Sequence, residues 1–389
     1  MILFRNGTVY NPDYAGQQDV LVAGGKILKV AKDIRLSADD DLLEVVDATG
    51  QIIAPGLIDG HVHITGGGGE GSFHTRTPEL MLSECIDAGV TTVVGVIGTD
   101  GTSRTMTSLV AKAKGLTEEG ITCYCQSGNY HVPVRTLTGS IQDDIMLVQE
   151  IIGTGEVAIA DHRSSQPTAH ELARLASESR IGGLLSGKGG VVNIHVGDGD
   201  SKLSLIEQVV NETDVPRSQF WPTHINRTEA LLEKGFSYAN AGGVIDFTTS
   251  SIDSDQPDLR SSRCLKRALE HGVSASQITF TSDAQGSLPK FDQDRNFVGL
   301  GVGKITSLLD DVRDAHLTEN VPLEDALRVA TANPARVMKL KDKGHVAADY
   351  DADLLVFNAD DLSLSGVMAK GKWLMQEGVR TMCGTFEQV

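Results

Sequence analysis

Between Ala54 and Leu340 the chain alternates short apolar runs with segments whose apolar residues recur every three or four positions, and no other feature constrains the fold as strongly. A run too short for a helix, followed by an amphipathic segment of helical length, is the pattern of a parallel strand and its return helix. Eight runs occur: Leu57 to Ile64, Thr91 to Gly98, Ile121 to Gly128, Glu156 to Asp161, Val191 to Gly197, Trp221 to Ile225, Val244 to Thr249 and Ile278 to Asp283. Helical spacing fills intervening segments such as Pro78 to Ala88, Ile141 to Ile152, Ala169 to Ser179 and Ser262 to Glu270. Eight strand-helix units over ~290 residues predict an α/β fold, a (β/α)8 TIM-like barrel with insertions.

Residues 1–53 and 341–389 read differently. Ile2 to Tyr10, Val20 to Ala23 and Ile27 to Ala31 at one end, and Asp353 to Phe357, Val367 to Ala369 and Trp373 to Met375 at the other, are strand-like and separated by Gly- and Asp-bearing turns. The expectation is a small β-sandwich domain formed from both chain termini, beside a barrel over 54–340.

The formal net charge of the 389 residues, 34 − 52 = −18, repels phosphate backbones and anionic lipid, which argues against nucleic-acid and membrane-surface partners. No stretch approaches the ~18 uncharged apolar residues of a membrane span. Met1 to Tyr10 does not read as a secretory signal, and five scattered cysteines, Cys85, Cys123, Cys125, Cys264 and Cys383, fit reduced thiols in a cytoplasm.

Barrel sites form at the C-terminal ends of the strands. There the runs carry His61 and His63, Glu156, His195, His224 and Asp283. Residues two apart share a strand face, so His61 and His63 can grip one ion together. Four imidazoles and two carboxylates suit Zn²⁺ with room for a bound water, and the number of ligands allows two ions. His74, His170, His271, His316 and His345 fall in loops or helices and read as solvated or capping residues, and His131 and His162 as local structural ones. Gly66 to Gly69 lack the Lys-Ser/Thr continuation of a phosphate loop and read as a place of close backbone approach to substrate. Cys123 and Cys125 read as core, and Ser164 and Ser287 lack the Gly-x-Ser-x-Gly elbow of serine hydrolases.

The run Ala54-Pro55-Gly56-Leu57-Ile58-Asp59-Gly60-His61-Val62-His63 resembles the opening strand of the amidohydrolase superfamily, and the later His, His and Asp follow its order. Within it the chain is similar to the bacterial isoaspartyl dipeptidase family. The resemblance is carried by His63 to Glu70, Gly98-Thr99-Asp100, Tyr130-His131-Val132-Pro133, Asp161-His162-Arg163-Ser164, Thr223 to Arg227 and Ser282 to Ser287. It implies metal ligation by His61, His63, His195, His224 and Asp283, with Glu70 on a substrate ammonium, Arg163, Arg227 and Ser287 on its carboxylates, and Thr99 and Gly68 as further contacts. It also implies a homo-oligomer. One position departs: the family bridges two zinc ions with a carboxylated lysine, and the matching residue here is Glu156, with no lysine between Lys114 and Lys188. A carboxylate also offers two oxygens, so the expectation is two Zn²⁺ per subunit bridged by Glu156.

The implied activity is hydrolysis of the β-aspartyl amide bond of a small dipeptide by a metal-bound hydroxide. Asp283 is the expected general base and acid, and the Tyr130 hydroxyl the expected carbonyl partner. The alternatives are an amidohydrolase acting on a cyclic amide or N-acyl amino acid, of dihydroorotase, hydantoinase or aminoacylase type, and a metal-free scaffold without activity.

Overall fold

The computed structural model describes residues 1–36, 42–250, 257–291 and 296–388. Strands β1 (Ile2–Tyr10), β2 (Tyr14–Ala23), β3 (Lys26–Ala31), β4 (Glu44–Asp47) and β5 (Gln51–Pro55) come from the first part of the chain. The barrel strands are β6 (Leu57–Val62), β7 (Val90–Gly95), β8 (Thr122–Ser127), β9 (Ile151–Ile159), β10 (Val192–Val196), β11 (Phe220–Thr223), β12 (Ile245–Thr248) and β13 (Ile278–Thr281). An antiparallel hairpin, β14 (Ser287–Phe291) and β15 (Phe297–Val302), follows. The chain ends in β16 (Leu354–Asn358), β17 (Leu364–Ala369), β18 (Lys372–Gln376) and β19 (Val379–Arg380).

β6 to β11 are hydrogen-bonded side by side in chain order, all parallel, and β12 pairs with β13 in parallel. Side chains and one bridge close the ring. Thr223 Oγ1 donates to Asp246 Oδ2 at 2.6 Å between β11 and β12. The Ser282 amide beyond β13 donates to the buried Asp59 carboxylate of β6 at 3.2 and 3.3 Å, and His63 N donates to Ala284 O at 2.9 Å. The expected TIM-like barrel is present. Ile58, Val94, Ile152, Trp221, Ala335 and Met338 form one buried cluster inside it. Gly60 is needed there, since a Cβ would lie 2.4 Å from the Trp221 ring.

The two chain ends share one nine-stranded sheet in the order β19-β18-β17-β16-β5-β1-β2-β3, with β4 also on β1. The sheet folds over itself: Phe4 on β1 meets Trp373 on β18 at 5.5 Å between ring centres, although three strands separate them along the sheet. Phe4, Val9, Val20, Ile27, Ile53, Leu354, Val356 and Met368 fill the fold.

Two local expectations change. The helical pattern over Ile141 to Ile152 covers a helix only over Ile141–Leu147, and β9 begins at Ile151. The Lys188 ammonium accounts for the stop: it donates to the carbonyls of Ile145, Val148 and Ile151 at 2.7, 2.5 and 2.9 Å, satisfying groups that a longer helix would have bonded internally. The helix over Ala169–Ser186 outruns its predicted end at Ser179, starting at a Thr168–Glu171 capping box and ending at left-handed Gly187.

Candidate functional site

The six predicted ligands converge at the C-terminal mouth of the barrel. Glu156 sits at the centre: His63 Nε2 lies 3.3 Å from its Oε1, while His61 Nε2, His195 Nδ1 and His224 Nε2 lie 3.4, 3.2 and 3.9 Å from its Oε2. Two ligand groups therefore share Glu156, one with His61 and His63 and the other with His195 and His224. Asp283 Oδ1 closes the first group, 3.1 Å from His63 Nε2 and 3.6 Å from His61 Nε2. His224 and Asp283 lie just beyond their strands with φ of 64° and 55°, in the left-handed region where non-glycine residues carry strain.

The donor set fits divalent cations. His61 Nε2, Glu156 Oε1 and Asp283 Oδ1 are buried without hydrogen-bond partners. His61 Nδ1 lies 2.7 Å from Asn193 Oδ1 and His224 Nδ1 lies 2.7 Å from Thr248 Oγ1, contacts that fix ring orientation and turn each Nε2 inward. Burial alone would lower the pKa of His61 and His63, but Glu156 and Asp283 outweigh it and raise them to about 9 and about 10. Burial would raise the two carboxylates, yet His61, His195 and His224 hold Glu156 well below its usual range, and His63 leads the imidazoles that hold Asp283 at about 2. Burial, helped by His195, lowers His224 to about 3. The carboxylates thus draw positive charge onto the cluster.

Above it lies a cavity of about 180 Å³ whose walls include Gly68, Glu70, Thr99, Tyr130, Arg163, Arg227 and Ser287. Glu70 is anchored by Thr99 Oγ1 at 3.1 Å, Ser287 Oγ at 2.9 Å and Arg163 Nη1 at 3.3 Å. Arg163 also binds Asp161, through Nη2 at 2.7 Å and Nε at 3.0 Å. Arg227 Nε is buried without a hydrogen-bond partner. Tyr130 Oη reaches His195 Nδ1 at 2.8 Å, and burial keeps the phenol far above its ordinary pKa, so it stays a donor. Gly68 has φ +74°, and a Cβ there would lie 2.7 Å from Thr75 O, which brings the backbone close to the cavity. Arg104 holds this loop by donating to the carbonyls of Thr65, Gly67 and Gly68.

The structure brings together the six predicted ligands and places the predicted pocket residues around the cavity, whereas the sequence reading gave no role to Asp161, Asn193, Thr248 and Arg104. Asn193 stands two residues before His195 on one strand face, so the period of two was a usable signal. Asp161 ended one predicted run, and Thr248 stood one residue before the end of another. Arg104 had no such mark. Cys123 and Cys125 are buried in the core, as expected, and His131 Nε2 bonds Arg163 O at 3.0 Å, a local structural contact.

Residues 52–374 match the model of the amidohydrolase family. A crystal structure of beta-aspartyl dipeptidase from Fervidobacterium islandicum AW-1, in complex with beta-Asp-Leu dipeptide, is 42% identical, covers 99% of this chain and 100% of its own, and superposes with a TM-score of 0.93. A D-hydantoinase structure, 19% identical over 100% of this chain and 98% of its own at a TM-score of 0.68, shares the fold. Among curated relatives, the dihydroorotase of Streptococcus pneumoniae is 36% identical over 123 residues, 31% of this chain and only 28% of that protein's length. The dihydroorotase of Lactococcus lactis is 23% identical over 92% of this chain and 90% of its own length. With its barrel, inward imidazoles and this family match over most of its length, the chain belongs to the amidohydrolase family and is a hydrolase.

Proposed function

We propose that this hydrolase cleaves the β-aspartyl amide bond of isoaspartyl dipeptides. The observation that carries the reading is the anchored Glu70 facing the same cavity as Arg163 and Arg227, directly above the imidazole–carboxylate cluster. A zwitterionic β-aspartyl dipeptide presents one ammonium and two carboxylates, and these three side chains match that charge pattern. The whole-length similarity to a beta-aspartyl dipeptidase supports the same reading.

His61, His63, Glu156, His195, His224 and Asp283 would hold two Zn²⁺ ions, Glu156 being common to both groups. Divalent ions held there would make a water more acidic and would polarise a carbonyl. Glu70 takes the α-ammonium, helped by Thr99 and Ser287. Arg227 and Arg163 take the carboxylates, and the backbone at Gly68 borders the bound molecule. Asp283 accepts the proton of the attacking water as its oxygen bonds to the side-chain carbonyl carbon. It then returns that proton to the leaving nitrogen as the C–N bond breaks, releasing aspartate and the second amino acid. Tyr130 Oη donates to the carbonyl oxygen as charge grows there.

Turnover of a β-aspartyl dipeptide beside its α-linked isomer tests the assignment: a large preference for the β-linked compound is expected, and comparable rates overturn it. The dihydroorotase similarities favour a second reading, hydrolysis of a cyclic amide. A neutral ring has no use for Glu70, and turnover of dihydroorotate or a hydantoin in place of the dipeptide would establish it.

Among the described residues no helix is long and apolar enough to cross a membrane. Five unpaired cysteines support a cytoplasmic setting. A homo-oligomer is supported by Ile181, Leu184 and Leu185, exposed at three- and four-residue spacing on one helix.

A further inference from the structure

We infer that Asp161 is a positioning residue that couples retention of metal at His195 to the placement of Arg163 and Tyr130 at the substrate. It lies two residues beyond the end of β9 and is 6% exposed. Its carboxylate takes four donors: His195 Nε2 at 2.9 Å and Arg163 Nη2 at 2.7 Å on Oδ2, and the Arg163 amide at 2.8 Å and Nε at 3.0 Å on Oδ1. The Arg163 guanidinium carbon lies 5.5 Å from the centre of the Tyr130 ring, and Tyr130 Oη lies 2.8 Å from His195 Nδ1. Asp161 therefore joins His195 to Arg163 and, through the guanidinium, to Tyr130, whose hydroxyl would be free for the substrate carbonyl once a metal takes the Nδ1 lone pair; of the four, Asp161 has no proposed contact to metal or substrate. Gly197 leaves it room, since a Cβ there would lie 2.6 Å from the Asp161 Cβ.

The chemistry of each link is distinct. A carboxylate accepting from Nε2 keeps the proton on that nitrogen, so Nδ1 presents its lone pair on the side of Glu156 and gains basicity. The same carboxylate fixes the guanidinium plane through two parallel bonds, which holds Arg163 against both Glu70 and the Tyr130 ring. An amide in place of the carboxylate has one acceptor oxygen for four donors: at the Oδ2 position it keeps His195 and one guanidinium bond, and it loses the Oδ1 bonds that fix the guanidinium plane.

The Arg163 and Tyr130 half of the inference rests on the substrate reading above, whereas the His195 half does not. The test uses full-length holoenzyme with Asp161→Asn, Asp161→Ala and Arg163→Met. Metal content is followed by elemental analysis during dialysis against graded chelator, and kcat and KM are measured on a β-aspartyl dipeptide. Asp161→Ala is expected to release metal at chelator concentrations about tenfold lower or more, the usual effect of losing a histidine's outer partner. Arg163→Met is expected to raise KM while keeping metal. Asp161→Asn is expected to raise KM and to weaken metal retention less than Asp161→Ala, and the double variant Asp161→Asn/Arg163→Met should have a KM close to that of Arg163→Met alone. Metal retention within about twofold of wild type in both Asp161 variants, or independent multiplication of the two KM effects, overturns the inference. The near-isosteric Asn variant serves if Asp161→Ala fails to fold. Wild-type enzyme that ignores the β-aspartyl dipeptide would remove the substrate reading and leave the metal-retention arm decisive.

Discussion

Glu156 Oε2 lies 3.2 Å from His195 Nδ1 across two adjacent parallel strands and 3.4 Å from His61 Nε2, while its other oxygen lies 3.3 Å from His63 Nε2. A single carboxylate thus belongs to both groups of side chains that could hold a metal ion. Glu156→Ala should retain about one ion of two by elemental analysis, because both sets lose a ligand and only one keeps the Asp283 carboxylate. Reconstitution of apoprotein should proceed equally with and without bicarbonate, since a carboxylate bridge needs no carbon dioxide. Wild-type metal content in Glu156→Ala, or a bicarbonate requirement in the native protein, would contradict the bridge.

Asp283→Asn keeps an oxygen near His63 but removes the proton acceptor. We expect kcat to fall by about 10²–10⁴ with part of the metal retained. Near-normal turnover in this variant would assign the proton transfer elsewhere.

Arg227 brings a buried Nε without a hydrogen-bond partner to the cavity, so Arg227→Met should act mainly on binding. Losing charge-assisted bonds to a carboxylate corresponds to roughly 10–100-fold in KM. Glu70→Gln should weaken the ammonium contact, and N-acetylation of the dipeptide should penalise the native enzyme far more than this variant. Equal penalties in both proteins would detach Glu70 from the ammonium.

Asp246 is fully buried between β11 and β13, accepting hydrogen bonds from Thr223, Thr279 and Thr281 at 2.6 Å each. Burial lifts its pKa from 3.8 to about 7 despite these bonds. The folded protein therefore holds this proton longer than the unfolded chain. The resulting stabilisation is full below the unfolded value and lost as pH rises through about 7. Asp246→Asn removes that slope. Thermal unfolding should show the variant gaining on wild type between about pH 5 and about pH 8, by an amount on the order of a few kcal/mol. A difference that stays constant across this range would show that Asp246 does not titrate as described.

The candidate ligands were legible in the sequence because barrel geometry ties function to strand ends: His61 and His195 sit on strands, His63 one residue past the end of β6, and the period of two is visible without a structure. The partners behind them were not. Whether Thr248 meets His224, or Asp161 meets His195, depends on which strands become neighbours and how far each chain turns after its last ladder bond, a tertiary property. β9 was begun too late because Ile151 to Gly155 continue an apolar pattern that a helix could share, and Lys188, far along the chain, decides the boundary. The hairpin of β14 and β15 was missed outright. Ser287, Leu288, Lys290 and Gly301 border the cavity, and Gly299, Gly301 and Pro289 give these strands a weak pattern.

Gly56 alone separates β5 from β6, and β5 is held on one edge by β16 in the register Leu355↔Ala54 and Val356↔Ile53. Translation delivers β16 only after every barrel strand has left the ribosome. Until then the strand that bears His61 and leads into His63 follows a neighbour paired on its β1 side alone. The placement of this histidine pair is thereby linked to chain completion, and loss of the last strands is expected to reach the barrel mouth through β5 and Gly56.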